Sequence, residues 1–312
     1  MILNQNARNL AVENAVDLPN NALRLLNSTV SRPIEHEPEY FRSIVEKDTG
    51  IHWWRLTPNC PAKFTPELVA SLRSFQDEFA LRMRNLIATD RGNEVPRYHV
   101  LTSDIDGIFN LGGDLSYFYR LIREGKRQQL SRYARDCVKL VYHNAVAFDL
   151  PMTTIALVRG NALGGGMEAA LSARIIVAER HVRMGLPEVL FNMFPGMGAY
   201  QYLCRRMPAT AAERLILSGK LYSAEELHDM GVVDYLVDTG EGEEAVRRLV
   251  ARERTHLGAA QAFRKAADAD DPVSLERLLQ FVEHWVDAAM SLDERDLNRM
   301  RYLIRSQHER GL

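Results

Sequence analysis

The stretch Thr153-Thr-Ile-Ala-Leu-Val-Arg-Gly-Asn-Ala-Leu-Gly-Gly-Gly-Met-Glu168 decides how the chain is read. Thr153–Val158 is a short run of β-branched and apolar residues, the pattern of a strand buried on both faces in a parallel sheet. Residues Arg159–Gly166 break that run, and a helix is expected from about Met167. Three adjacent glycines, Gly164, Gly165 and Gly166, remove every Cβ from the turn. A ligand can then approach the backbone closely and meet its N–H groups. The dipole of the following helix favours negative charge at the same place. A tight strand-to-helix turn accounts for the same glycines equally well.

Working outward, the same order recurs. Tyr98–Ser103 reads as a buried strand, followed by Asn110-Leu-Gly-Gly-Asp114 and helices to about Asp149. Arg174–Ala178 is a further strand. Towards the N-terminus, residues Ile34–Leu56 are strand-like, with His52-Trp53-Trp54 near the end, and Pro58–Pro61 forms a turn. Thr65-Pro66-Glu67 then opens a helix with a Thr cap, Pro at the first position and an early acid. That helix is expected to reach Ile87, with Leu68, Leu72, Phe75, Phe79, Met83 and Leu86 on one face. Strands alternating with helices predict an α/β fold. Beyond Pro195 the chain turns mostly helical. Ser223-Ala-Glu-Glu is a capping box, Val232–Val237 a brief strand, and Pro272–Met290 a long amphipathic helix. A final helix carries Leu297, Met300, Leu303 and Ile304. Residues 1–35 are polar and Asn-rich and read as an arm, partly disordered, with a helical piece around Asn21–Leu26. Residues 36–220 are then the α/β core and 221–312 a C-terminal helical region.

Composition narrows the function. The 312 residues are 46% hydrophobic, enough for a sizeable core, and the formal net charge is −2. Residues 251–312 hold 10 Lys+Arg against 11 Asp+Glu, so no basic arm points to nucleic acid. Cys60, Cys137 and Cys204 are far apart, without metal-ligand spacing or a disulfide framework, so no metal is expected and a reducing cytoplasm fits best. The first twenty residues lack the pattern of a signal peptide, and no apolar run is long enough for a membrane span. His143, His228 and His284 have no partners at ligand spacing. Met193, Met197 and Met207 read as space-filling. The pairs Arg205-Arg206 and Arg264-Lys265 are candidates for a pantetheine phosphate or an acidic carrier, although such pairs usually face water.

The glycine turn is not followed by Gly-Lys-Ser or Gly-Lys-Thr, which disfavours a phosphate loop, and its late position disfavours a dinucleotide fingerprint. Paired with Asn110-Leu-Gly-Gly-Asp114 it suggests another chemistry. Two such turns from neighbouring parallel strands would set two groups of backbone donors side by side, as an enolate or tetrahedral oxyanion requires. Glu168 lies in the first turn after the glycines, among Ala, Met and Leu. Glu188 follows 20 residues later in Gly185-Leu-Pro-Glu188. A surface position is the usual fate of a glutamate, but burial would raise these pKa values and suit the carboxyls to proton transfer near neutral pH.

Asn110-Leu-Gly-Gly-Asp114, Gly160-Asn-Ala-Leu-Gly-Gly-Gly-Met-Glu168 and Leu186-Pro-Glu188 together resemble the crotonase (enoyl-CoA hydratase/isomerase) superfamily, over roughly residues 40–310. Within it, six segments look like the diffusible signal factor synthases of bacterial quorum sensing, which make cis-2-unsaturated fatty acids. They are Phe109–Leu115, Leu121–Gly125, Met184–Phe191, Phe194–Tyr200, Leu221–Glu225 and Trp285–Met290. The lead-in of about 30 residues departs from the short members of that family.

The resemblance implies a crotonase-like spiral of ββα units, with the C-terminal helices completing an acyl pocket and an oligomer interface, in a trimer or hexamer. It implies a dehydratase with thioesterase activity. The substrate would be a 3-hydroxyacyl thioester on acyl carrier protein or coenzyme A, with no other cofactor, and a sensor-kinase receiver domain would be a further partner. Glu168 and Glu188 would be the catalytic pair. The N–H of Leu111 or Gly112 and that of Gly165 would form the oxyanion hole. Gly113, Asp114, Leu163, Gly164, Leu186, Val189, Met197, Trp285 and Met290 would contact substrate. Ordinary helix packing is the competing reading of Trp285. An enoyl-CoA hydratase or isomerase without thioesterase activity is the alternative function.

Overall fold

The computed structural model describes residues 40–309, and the expected arm and its helical piece lie outside them. The described chain opens with a hairpin, β1 (Phe41–Glu46) and β2 (Ile51–Leu56), paired antiparallel. Helix α1 (Pro66–Ala88) starts where the cap signal placed it: the Thr65 side chain accepts the Leu68 N–H at 3.2 Å, and Pro66 occupies the first turn. All six residues of its expected apolar face are buried. Each such side chain contributes about 1.5–3 kcal/mol when fully buried.

The next elements alternate between two sheets. β3 (Tyr98–Ser103), β5 (Thr153–Val158) and β7 (Ile175–Glu179) lie parallel in a six-stranded sheet of order β1-β2-β3-β5-β7-β10, where β10 is Tyr235–Val237. Each is followed by a three-residue strand, β4 (Ile108–Asn110), β6 (Asn161–Leu163) or β8 (Arg183–Gly185). With β9 (Leu221–Ser223) these form a second sheet of order β4-β6-β8-β9. β3-β4 leads into helices α2 (Leu115–Arg123) and α3 (Arg127–Ala145), and β5-β6 into α4 (Gly165–Leu171). The result is the expected α/β succession of ββα units.

All six residues of β5 are buried, as a continuous apolar run predicts for a central parallel strand. The alternation of β2 sends Ile51 and Trp53 to one face, where they join Val100, Ile155, Leu157, Val246 and Leu249 in one apolar cluster. His52 and Trp54 face the other way, stacked on Phe79 and Phe75 of α1. Two glycines let the second sheet come close. A Cβ on Gly160 would lie 2.3 Å from the Ile108 nitrogen, and one on Gly166 2.0 Å from the Asn110 oxygen.

The C-terminal half supplies α5 (Ala199–Cys204), α6 (Ala209–Ser218), α7 (Ala224–Asp229), α8 (Gly242–Glu253), α9 (Leu257–Asp270), α10 (Leu275–Met290) and α11 (Glu294–Glu309). The Ser223 capping box is formed in full. The region is not purely helical, because β9 and β10 complete the two sheets. Among the described residues no helix is long and apolar enough to cross a membrane.

Candidate active site

The two glycine-rich turns meet at the C-terminal ends of β4 and β6. At the first, the Leu111 N–H donates to the Ala62 carbonyl at 2.7 Å, and the Gly112 N–H donates to the Asn110 side chain, Oδ1, at 2.8 Å. Both expected oxyanion donors are therefore already spent inside the fold. That corrects the assignment of Leu111 and Gly112. The free group is the next one along, since the Gly113 N–H has no acceptor among the described residues. Gly112 (φ +89°) serves the site differently: a Cβ there would lie 2.8 Å from both the Gly165 nitrogen and the Leu163 oxygen. Only glycine lets the two turns come this close. Gly165 begins α4, two residues before the expected start, so its N–H is one of those a helix leaves without an intrahelical acceptor. Gly113 and Gly165 are thus the two open donors of the paired turns.

Glu168 is 1% exposed. Its Oε1 accepts the N–H groups of Met197 (2.7 Å) and Ala199 (2.9 Å). Burial pushes its carboxyl up to about 7, although the hydrogen bonds from Ala199 and Met197 pull the other way. Glu188 sits in a 3₁₀ turn, Pro187–Phe191, directly after β8. Its Oε2 has no hydrogen-bond partner among the described residues. A Cβ on Gly164 would lie 2.6 Å from its Oε1, so that glycine makes room for the carboxylate. Burial and the charge of Glu168 push Glu188 up to about 8. Both carboxyls are thus shifted towards holding a proton, and the mutual charge repulsion couples their titration.

Both glutamates line one cavity of about 390 Å³, together with Leu111, Gly113, Leu163, Gly164, Gly165, Met197 and Trp285. A family model described as enoyl-CoA hydratase/isomerase matches residues 68–302, more than half of the chain. The chain belongs to the enoyl-CoA hydratase/isomerase family.

Among its relatives, an enoyl-CoA isomerase/hydratase of Zymoseptoria tritici is 32% identical over 188 residues, covering 60% of this chain and 58% of that protein. The mitochondrial methylglutaconyl-CoA hydratase of Rattus norvegicus is 32% identical over 160 residues, covering 51% and 48%. The chain spans about half the length of these curated relatives. Solved structures extend the likeness in fold. An enoyl-CoA hydratase from Bacillus halodurans superposes with a TM-score of 0.67 at 20% identity, covering 84% of this chain and 99% of that one. DspI of Pseudomonas aeruginosa gives 0.59 at 22% identity, covering 82% and 98%.

Within this family member, four of the expected substrate contacts fall elsewhere. Asp114 caps α2, accepting the N–H groups of Ser116 and Tyr117, and pairs with Lys63 at 3.1 Å. Leu186 is 1% exposed and, like Val189 and Met290, is not part of the cavity wall. A helix cap explains Asp114 and core packing explains Leu186, while Val189 and Met290 are half-buried outside the wall. The expected basic pairs are mostly engaged inside the molecule: Arg205 with Asp268 and Asp271, Arg206 with Asp234, and Arg264 with Glu253.

The wall also contains residues not foreseen: Phe118, Tyr133, Ala134, Cys137, Tyr302 and Leu303. Phe118 makes edge-to-face contacts with Tyr133 and Trp285, at centroid distances of 5.4 and 5.3 Å. The Tyr133 hydroxyl donates to the Phe64 carbonyl. Tyr133 and Cys137 stand four apart on α3, a spacing that marks one helix face, but nothing in the sequence distinguishes a cavity-facing stripe from a core-facing one. Among the described residues no three His, Cys, Asp or Glu side chains are grouped so as to hold a metal ion.

Proposed function

We propose that the protein acts on a 3-hydroxyacyl thioester, removing water across C2 and C3 and then hydrolysing the thioester, the chemistry of a diffusible signal factor synthase. The carrying observation is that two carboxyls, both of raised proton affinity, share a cavity with Gly113 and Gly165, whose N–H groups are open. The thioester oxygen accepts from both N–H groups. One carboxylate takes the C2 proton, and the electron pair forms the C2–C3 double bond as the C3–O bond breaks. The other carboxyl protonates the departing hydroxyl, so water leaves. General acid–base assistance of this kind contributes roughly 10²–10⁴ in rate.

In the second stage water adds to the carbonyl carbon, the oxyanion returns to the same two donors, and the carrier leaves as a thiol. Phe118, Ala134, Cys137 and Trp285 offer the hydrocarbon tail an apolar wall. The carrier is acyl carrier protein or coenzyme A. The resemblance of the six sequence segments supports the synthase reading over simple hydration. A hydratase or isomerase that never releases the acid is the second reading, supported by the named activities of the 32%-identical relatives. Mass spectrometry of products from 3-hydroxyacyl carrier protein separates them. Free cis-2-enoic acid is expected, and accumulation of enoyl thioester alone would exclude the synthase reading.

A further inference from the structure

Glu168 is held by a turn, and that turn is held by a helix remote in sequence. The Met197 and Ala199 N–H groups that bind its Oε1 flank Gly198, which has φ +110°. This left-handed backbone points both N–H groups at one oxygen. The turn carries glycines at positions 196 and 198, which leave its backbone free unless neighbours press on it. One such neighbour is α10. A Cβ on Gly196 would lie 2.8–2.9 Å from three indole atoms of Trp285, and one on Gly198 would lie 2.8 Å from both Leu278 Cδ2 and Cε2 of Tyr202 on α5, so the turn is gripped between α10 and its own following helix. Leu278 and Trp285 are seven residues apart on α10, hence on the same face, and both are buried. The helix is fixed in turn to α3, where Glu283 accepts from Ser131, Arg127 and Arg135, and Asp287 accepts from Arg127.

Trp285 lines the cavity, so its replacement would alter both substrate contact and the turn. Leu278 does not line the cavity. It touches the turn from behind. We propose that Leu278 is a positioning residue that sets the Glu168 carboxylate by holding the Met197–Ala199 turn against it. The inference rests on Glu168 being catalytic, as argued above.

The role separates from simple core packing in a matched pair of truncations. Leu278→Ala removes the contact with Gly198. Leu249→Ala removes an equally large buried side chain from α8, in the cluster on the large sheet. With 2-enoyl-CoA hydration as the assay, Leu278→Ala is expected to lower kcat about 10- to 100-fold, the scale of a small misplacement of a reacting group, with KM little changed. Weaker donation to Glu168 raises its proton affinity, so whichever limb of the kcat/KM profile Glu168 sets should move to higher pH. Amide exchange at Met197 and Ala199 should quicken. Leu249→Ala should lose stability and show none of these changes, and Leu278→Met should restore kcat and the pH profile.

A Leu278→Ala enzyme with the wild-type pH profile and kcat overturns the inference. So does one whose changes are matched by Leu249→Ala. If Leu278→Ala does not fold, Leu278→Val carries the test, with a several-fold fall in kcat and the same direction of shift expected. A wild-type rate in Glu168→Gln would instead remove the functional reading on which the inference stands.

Discussion

The two sheets of this molecule divide its work. The six-stranded sheet is built from strands of five or six residues, apart from β10, and is packed with aromatic and β-branched side chains on both faces. The small sheet has four strands of three residues each. Its strand ends carry the glycine turns, Glu188 and the open N–H groups. The large sheet supplies apolar burial, and the small one supplies backbone geometry at close quarters. Substitutions should therefore act on stability in one and on rate in the other.

The largest effect is expected at the small sheet. Glu168→Gln and Glu188→Gln should each lower turnover by 10² or more, roughly the contribution of one acid–base group. Neither should lower Tm appreciably, because each removes an ionisable carboxyl from the cavity and keeps its shape. A rate loss accompanied by an equal loss of folded protein in urea titration would break the division. At the large sheet the reverse holds. Phe79→Ala empties a site stacked on His52 and packed against Phe148. It should cost about 3–5 kcal/mol of stability while kcat of the remaining folded enzyme stays near wild type. Denaturant midpoints and active-site titration read the two quantities separately.

A third effect is smaller and depends on pH. His52 and His99 are both fully buried, with their Nδ1 atoms 2.9 Å apart, and the Ser43 hydroxyl meets His52 Nε2 at 2.8 Å. Burial pushes His52 down to about 3, with the Arg82 charge acting in the same direction, and drives His99 well below its ordinary range. Both are neutral in the fold and take up protons on unfolding. Their contribution is complete above the unfolded pKa of about 6.5 and is lost as pH falls from there towards the depressed folded values. At pH 5 His52 alone should reduce stability by about 2 kcal/mol. Flat unfolding free energies between pH 7 and 5 would contradict a neutral pair. The smallest effect is expected from Asp114→Ala, which removes the cap of α2. It should cost about 1 kcal/mol in thermal unfolding and change KM little, since Asp114 is not in the cavity wall.

The same division governs what could be read in the sequence. Long strands and α1 announce themselves by periodicity and caps, and Thr65-Pro66, the Leu68–Leu86 stripe and Thr153–Val158 all form what their residues suggest. Three-residue strands such as Asn161–Leu163 and Arg183–Gly185 are shorter than the roughly four to eight residues over which alternation can be recognised, so the second sheet is not legible from pattern. Glu168 and Glu188 were legible through their turns. The open N–H of the first turn lies one or two residues beyond Leu111 and Gly112, where the sequence suggests it. Which N–H remains free depends on Ala62 and on the Asn110 side chain, and neither contact leaves a local mark. The cavity wall from α2, α3 and α11 is a tertiary product. Tyr133 and Tyr302 are brought together there from positions 169 residues apart.

Proton exchange at C2 tests the site most directly. A 3-hydroxyacyl thioester incubated with the enzyme in deuterium oxide should acquire deuterium at C2 with the wild type. It should acquire almost none with Glu168→Gln or Glu188→Gln at equal folded concentration. Undiminished exchange in both variants would show that the two carboxyls beside Gly113 and Gly165 do not handle the proton.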